Sequence, residues 1–188
     1  MKKQISVMAL AVCLAHPAYA LEMAGVNLPE KVSVAETPLV LNGAGIRKKM
    51  VFDVYVAALY TAAKSNDANA IINAATPRRI QLDMLRNVES AALYNALLEG
   101  LQDNLSAAQL KALAPKVAEL EKIFTEIKVA NKGDVIVLDF LPGKGVKVLV
   151  RGQVAGMVAG DAIASAMLSI WLGKSPVSES LKAALLKA

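Results

Sequence analysis

Apolar residues recur at every second position in the runs between Lys31 and Leu85 and at every third or fourth from Glu89 to Phe124. This change of period constrains the fold more than any other feature. Period two belongs to strands and period 3.6 to helices. Val32 and Val34 alternate, Pro38 opens another run, and Phe52, Val54, Val56, Ala58 and Tyr60 fall on one face at strand spacing. Ile80, Leu82 and Met84 repeat the pattern after Pro77. Three or four strands are therefore expected here.

Leu93, Leu97, Leu101 and Leu105 stand four apart, which predicts a helix over Glu89 to Leu105 with one buried stripe. Ser106 and Gln109 have capping-box spacing, in which hydroxyl and amide satisfy orphan N–H groups at a helix start. The helix that follows turns Leu110, Leu113, Val117, Leu120 and Phe124 inward, and Pro115, lacking an N–H, predicts a kink or break in it. Turns at Asn131 to Asp134 and Pro142 to Gly145 then divide short Val-rich runs into an antiparallel meander. Asp161 is placed to cap a helix carrying Ile163, Met167 and Ile170 on one face, and Gly173 to end it. A last short helix is expected from about Ser175 to Ser178, with Pro176 at its first position. Strands, helices and strands again argue for an α+β domain: a large antiparallel sheet with helices on one face.

The first twenty residues read as a secretory signal: Lys2 and Lys3, an apolar run from Ile5 to Leu14, and the ending Ala18-Tyr19-Ala20. The run is too short to cross a membrane, and Val12 before Cys13 does not suit a lipidation site. The expectation is a signal over residues 1–20, an exported and periplasmic protein, and one domain over 21–188. Cleavage near Ala20 removes Cys13 and His16, the only cysteine and histidine. The mature chain then has no thiol nucleophile, Ser-His-Asp triad, disulfide or Cys/His zinc site. No cofactor or metal is expected. The formal net charge of +5 falls once Lys2 and Lys3 leave, which gives no reason to expect a nucleic-acid partner.

The stretch Leu41 to Tyr60 places one arginine, Arg47, and one phenol, Tyr55, on an otherwise apolar hairpin. A guanidinium presents a planar fork of donors to a carboxylate and a phenol adds another. On residue type alone Arg47 is a third base beside Lys48 and Lys49, and Tyr55 an ordinary strand aromatic. Register decides between the two. A two-residue turn at Lys48-Lys49 puts Arg47 and Tyr55 on opposite faces; a three-residue loop or a bulge puts them on the same face.

Several blocks in this order resemble the chalcone isomerase family, in particular its bacterial branch: the Leu41 to Tyr60 hairpin, Gly133-Asp134-Val135 running into Leu141-Pro142-Gly143, Gly152 to Gly160, and Ile170 to Ser178. That family includes flavanone-forming enzymes and non-catalytic relatives that bind fatty acids. The resemblance implies an open-faced β-sandwich with a cleft between sheet and helices. It also implies an oxyanion contact at Arg47 and, as in the fatty-acid-binding relatives, help from Tyr55. The isomerases carry threonine where this chain has Tyr55, and a Tyr-x-x-Lys-x-x-x-Asn arrangement where Tyr94 is followed by Leu97 and Leu101. A further threonine of theirs falls on Ile170. An addition of phenolate to enone needs such groups for orientation and enolate stabilisation.

The resemblance therefore implies a non-enzymatic binder of a fatty acid or similar amphiphilic carboxylate, with Arg47 and Tyr55 as the ligand-binding residues. The alternatives are an isomerase of the chalcone type and a ligand-free envelope interaction module. Among other residues, Asp134 and Asp161 read as turn and cap, Asp139 as a solvent-facing strand position, and Arg78-Arg79 as a solvated charge pair. Tyr60 reads as core and Trp171 as a core or lid residue. Arg86 has only a minor claim to the cleft mouth.

Overall fold

The computed structural model describes residues 19–187. Strands form where period-two runs were found: β1 (Tyr19–Met23), β2 (Val26–Pro29), β3 (Lys31–Val34), β4 (Thr37–Lys49), β5 (Phe52–Thr61) and β6 (Arg78–Met84), with a short helix α1 (Ala68–Ile72) before β6. A two-residue strand β7 (Val88–Glu89) leads into α2 (Ser90–Asn104) and α3 (Ala107–Ile127). Then come β8 (Val129–Ala130), β9 (Val135–Leu141), β10 (Gly145–Val150), β11 (Gln153–Ala159), α4 (Asp161–Leu172) and α5 (Glu179–Leu185). The expected signal lies outside the described residues except for its last two, Tyr19 and Ala20, which begin β1, where Tyr19 pairs with Pro29 and the register shifts before Leu21.

One seven-stranded sheet runs in the order β11-β10-β9-β6-β5-β4-β3, with every pair antiparallel. Chain order is broken once, between β6 and β9, where the chain leaves the sheet to make α2 and α3. The α+β expectation holds: α2 packs on α3 and α4, α3 on β11, α4 on β9 and β10, and α5 on β4. The helical face buries Ala57, Leu59, Ile80, Leu82, Ile136 and Leu138 with Leu101, Leu120, Met167 and Leu185.

The opposite face is not left to solvent. The β1–β2 hairpin contributes Leu21, Met23, Val26 and Leu28 to a second cluster with Leu39, Leu41, Val56, Ala58 and Tyr60. Strand β5 is therefore buried on both sides, which a one-face period-two pattern does not anticipate.

Three local expectations change. Helix α3 runs unbroken through Pro115, because the inward residues on both sides of the proline hold the two halves against one core. The capping box at Ser106 and Gln109 is present. Asp161 occupies the first position of α4 behind an N-cap at Gly160, and its carboxylate accepts from the Gly143 N–H at 2.8 Å. It thus ties the Pro142 to Gly145 turn to the helix start. Pro176 precedes α5, whose N-cap is Ser178 with its hydroxyl accepting from the Leu181 N–H.

Glycines 43 and 45 bring the last helix onto the sheet. A Cβ on Gly43 would collide with the carbonyls of Ala184 and Leu185, and one on Gly45 would lie 2.8 Å from the Ala184 Cβ. Asn42 staples the same contact: its amide nitrogen donates to the Leu185 and Ser65 carbonyls, and its oxygen accepts from Ser65 N–H and the Thr61 hydroxyl. All its hydrogen-bonding capacity is used, as a buried amide requires.

Candidate functional site

The β4–β5 hairpin closes through a two-residue turn at Met50 and Val51, with Lys49 opposite Phe52 and Lys48 opposite Asp53. The next pair is Arg47 with Tyr55, so Val54 is an extra residue on β5. Neither anticipated loop at Lys48 to Met50 is formed, and a bulge sets the register instead. A bulge moves side chains to the other face beyond it. Accordingly Tyr55 and Val54 lie with the helical-face cluster, whereas Val56, Ala58 and Tyr60 lie with the opposite one and Phe52 is exposed. The expectation that Phe52 and Val54 share the face of Val56 is corrected by this extra residue. Arg47, directly opposite Tyr55, shares its face.

Tyr55 lines a cavity of about 60 Å³ between the sheet and the helical layer. Leu82, Ile136 and Leu138 form its floor, Leu93, Ala96 and Leu97 of α2 one wall, and Phe124, Ile170, Trp171 and Val177 the remainder. One water needs about 10–15 Å³ on the same measure, so the space admits several methylene-sized groups. The polar side-chain atoms among these residues are the Tyr55 hydroxyl and the Trp171 indole nitrogen. They meet: Trp171 Nε1 donates to the Tyr55 oxygen at 3.2 Å. For the phenol's own hydrogen no acceptor is found among the described residues. Burial raises the Tyr55 pKa, against the opposing effects of the Trp171 hydrogen bond and the Arg47 charge. The group is thus a neutral donor at physiological pH.

Arg47 is half-exposed and outside the cavity lining. Its Nη1 donates to the carbonyl of its neighbour Lys48. The structure therefore brings Arg47 to Tyr55 by backbone pairing but leaves its guanidinium at the rim. Leu97 and Ile170, which stand where the resemblance places polar groups of the isomerases, both line the cavity, and Leu101 is fully buried. Tyr94 faces away from it, in a shallow groove with Glu121 and Phe124. Trp171 is core, as expected, and also a hydrogen-bond partner of the candidate site, which period and composition did not reveal.

The other charged candidates fall elsewhere. Asp139 is not solvent-facing: it is 1% exposed and takes Arg79 in a two-point pair, Nε to Oδ1 at 2.6 Å and Nη2 to Oδ2 at 3.0 Å. Arg78 is buried, not solvated, and donates to the carbonyls of Ile72, Ala74 and Thr76 at the end of α1. The two departures have different causes: Arg78 lies on the helical face of β6 against the end of α1, whereas Asp139, on an interior strand, is flanked by Arg79 of β6 and Lys147 of β10. Asp134 is a turn residue as expected, and Arg151 holds its carboxyl below the usual range. Tyr60 is core. Arg86 stacks over the Phe52 ring at 4.5 Å, on the hairpin tip rather than at the cavity. Among the described residues no group of three or more Cys, His, Asp or Glu is placed to hold a metal, and no helix is long and apolar enough to cross a membrane.

A large antiparallel sheet with helices over one face, enclosing an apolar cavity that carries a single free phenol donor, is the architecture of an open-faced β-sandwich with an internal cleft. The chalcone isomerase-like family model matches residues 20–187, and the chain belongs to the chalcone isomerase-like family. A crystal structure of an Arabidopsis thaliana fatty-acid binding protein has the same fold, with TM-score 0.71 and 17% identity over 90% of this chain and 96% of that one. No curated protein matches the chain in sequence.

Proposed function

We propose that this protein is an exported, non-catalytic carrier of a fatty acid or similar small amphiphilic carboxylate, held in the cleft between sheet and helices. The observation that carries this reading is the Tyr55 hydroxyl: buried, fixed by Trp171, and with no acceptor for its own hydrogen among the described residues, in an apolar cavity. A buried donor without an acceptor costs about 1–3 kcal/mol, and a carboxylate oxygen would relieve that cost. Arg47, directly across the strand pair, needs only to leave the Lys48 carbonyl and turn inward to add a charge-assisted bond. The fatty-acid binding protein that shares the fold supports the ligand class. Leu97, Leu101 and Ile170 in place of the isomerases' polar groups count against enone chemistry. An acyl chain longer than the present cavity would displace Leu93, Ala96 or Leu97 on α2.

Export rests on Lys2, Lys3, the Ile5 to Leu14 run and Ala18-Tyr19-Ala20. Cleavage after Ala20 keeps three of the pairs of the first hairpin: Leu21 with Leu28, Glu22 with Asn27 and Met23 with Val26. The mass of the protein recovered from the periplasm tests it.

Native mass spectrometry and lipid extraction of the purified mature protein test the ligand. The expected result is a copurifying acidic amphiphile, or binding of added decanoate or palmitate, weakened at least tenfold by Arg47→Ala. If neither ligand binds, or Arg47→Ala binds equally, the reading fails. Arg47-dependent turnover of a chalcone would replace it with isomerase chemistry. The small volume, with Leu93 and Leu97 projecting into it, favours a second reading, a ligand-free interaction module; absence of both ligand and turnover supports that one.

A further inference from the structure

The hairpin tip exposes three consecutive large apolar side chains: Met50 at 89%, Val51 at 84% and Phe52 at 52%. Turn chemistry does not account for them. Two-residue hairpin turns favour Asn-Gly, Asp-Gly or Gly-X pairs, because positive φ is required. Here Met50 adopts φ +56°, a conformation that L side chains seldom take outside Asn and Asp, and a β-branched residue follows. The local rule is broken in favour of apolar groups, of which Met50 and Val51 stand almost fully free and Phe52 meets only the Arg86 guanidinium named below.

Basic residues surround the tip. Arg47, Lys48 and Lys49 precede it, and the Arg86 guanidinium lies over the Phe52 ring. Asp53, the acid beside the tip, is held by Lys48 at 2.8 Å. For Arg47, Lys49 and Arg86 no ion pair is found among the described residues. Lys132 belongs to the same end of the sheet, because its turn is hydrogen-bonded to Met84 at the end of β6.

We infer that the Met50-Val51-Phe52 tip docks into the headgroup–acyl boundary of an anionic lipid bilayer, with Lys49 and Arg86 against the headgroups. An apolar wedge ringed by cations is the pattern of interfacial binding, and each Lys or Arg near an anionic surface contributes roughly fivefold in affinity. Charge complementarity excludes a neutral surface as the preferred target. A protein partner is disfavoured because three side chains on a convex tip fall far short of the roughly 1,000 Å² that a stable protein interface buries. Phe52 is three residues from Tyr55, roughly 10 Å along a strand, so docking sets the Tyr55 end of the cleft at the membrane surface. The docking itself does not depend on what the cleft holds.

Cosedimentation of the purified protein with vesicles of phosphatidylglycerol and phosphatidylethanolamine, free of fatty acid, tests the inference against phosphatidylcholine vesicles. Partition into the anionic vesicles should exceed that into the neutral ones at least tenfold and weaken as salt rises. The triple substitution Met50→Ser, Val51→Ser and Phe52→Ser should lower it at least tenfold with an unchanged unfolding temperature, since these side chains are exposed. Should the triple variant misfold, Lys49→Glu alone should still reduce binding severalfold. Val154→Ser with Met157→Ser, an exposed apolar pair on β11, should leave binding intact. Failure to sediment with anionic vesicles, equal sedimentation of the tip variants and the unaltered protein, or a tip-dependent dimer in place of vesicle binding overturns it.

Discussion

Tyr55→Phe removes one oxygen from the cavity and leaves the Trp171 N–H with no acceptor. Both residues are buried, at 7% and 5% exposure, and the bond between them is 3.2 Å long. A buried donor stripped of its partner costs about 1–3 kcal/mol, and a length at the upper end of the normal range selects the lower half. The ring is retained, so no cavity forms beyond the volume of an oxygen. For a chain of this size each kcal/mol shifts the midpoint by about 2–4 °C. Against this, the same substitution removes the hydroxyl's own unpaired donor, an opposing effect of about the same size, so the midpoint of delipidated Tyr55→Phe should stay within about 4 °C of the unaltered protein. Trp171→Phe removes the donor instead, and the double variant should lose less than the sum of the singles, with coupling of about 0.5–3 kcal/mol. Binding separates the two functions of the hydroxyl: Tyr55→Phe should lose decanoate affinity, whereas Trp171→Phe keeps the donor and should retain most of it. Additive singles, with no coupling between the two sites, refute the claim that this pair is a buried and energetically meaningful contact.

Asp139→Ala leaves Arg79 without its two-point partner and Lys147, 3.8 Å away, without a nearby carboxylate; a loss of about 3 kcal/mol is expected from breaking a buried pair, read by denaturant unfolding, and a loss under 1 kcal/mol would contradict the burial. Asp83 is also buried, and desolvation raises its pKa against a lowering hydrogen bond from Gln81. A carboxyl with a raised folded-state pKa takes up a proton more readily in the folded protein, so its stabilisation is fully present below the unfolded value and is lost as pH rises through the folded one. Asp83→Asn should therefore be more stable than the unaltered chain at pH 7 and lose that advantage on acidification towards pH 4, as followed by midpoints across pH.

Fold class, the extent of α2 and the start of α3 were legible because they depend on local spacing. Leu97, Leu101, Leu120 and Phe124 are buried where a 3.6-residue period places them, and Ser106 with Gln109 starts α3 through bonds within four residues. The errors cluster where burial depends on what packs from elsewhere. Asp139 looked solvated because it is a lone charge in its own strand, and Arg79 because it follows another arginine; their pairing joins residues sixty apart, and only β6–β9 adjacency reveals it. Pro115 predicts a break from local chemistry alone, yet tertiary contacts on either side keep the helix continuous.

The candidate site divides the same way. A guanidinium and a phenol carry their donors with them, but residue type alone left Arg47 a third base and Tyr55 a strand aromatic, and the family resemblance marked them as a pair; Cys13 and His16 were seen to lie in the expected signal from position alone. The face each donor occupies was decided by Val54, one residue bulged out of the β4–β5 ladder. A bulge is stabilised by the packing of both sheet faces and leaves no mark in an alternating pattern. The Trp171 bond to Tyr55, spanning 116 residues, and the enclosed apolar cavity likewise exist only once the helical layer closes over the sheet. Sequence determined which groups are available and in what local structure, since propensity and periodicity act over a few residues. Tertiary structure decided which of them meet, because register and burial are properties of strands and helices packed together.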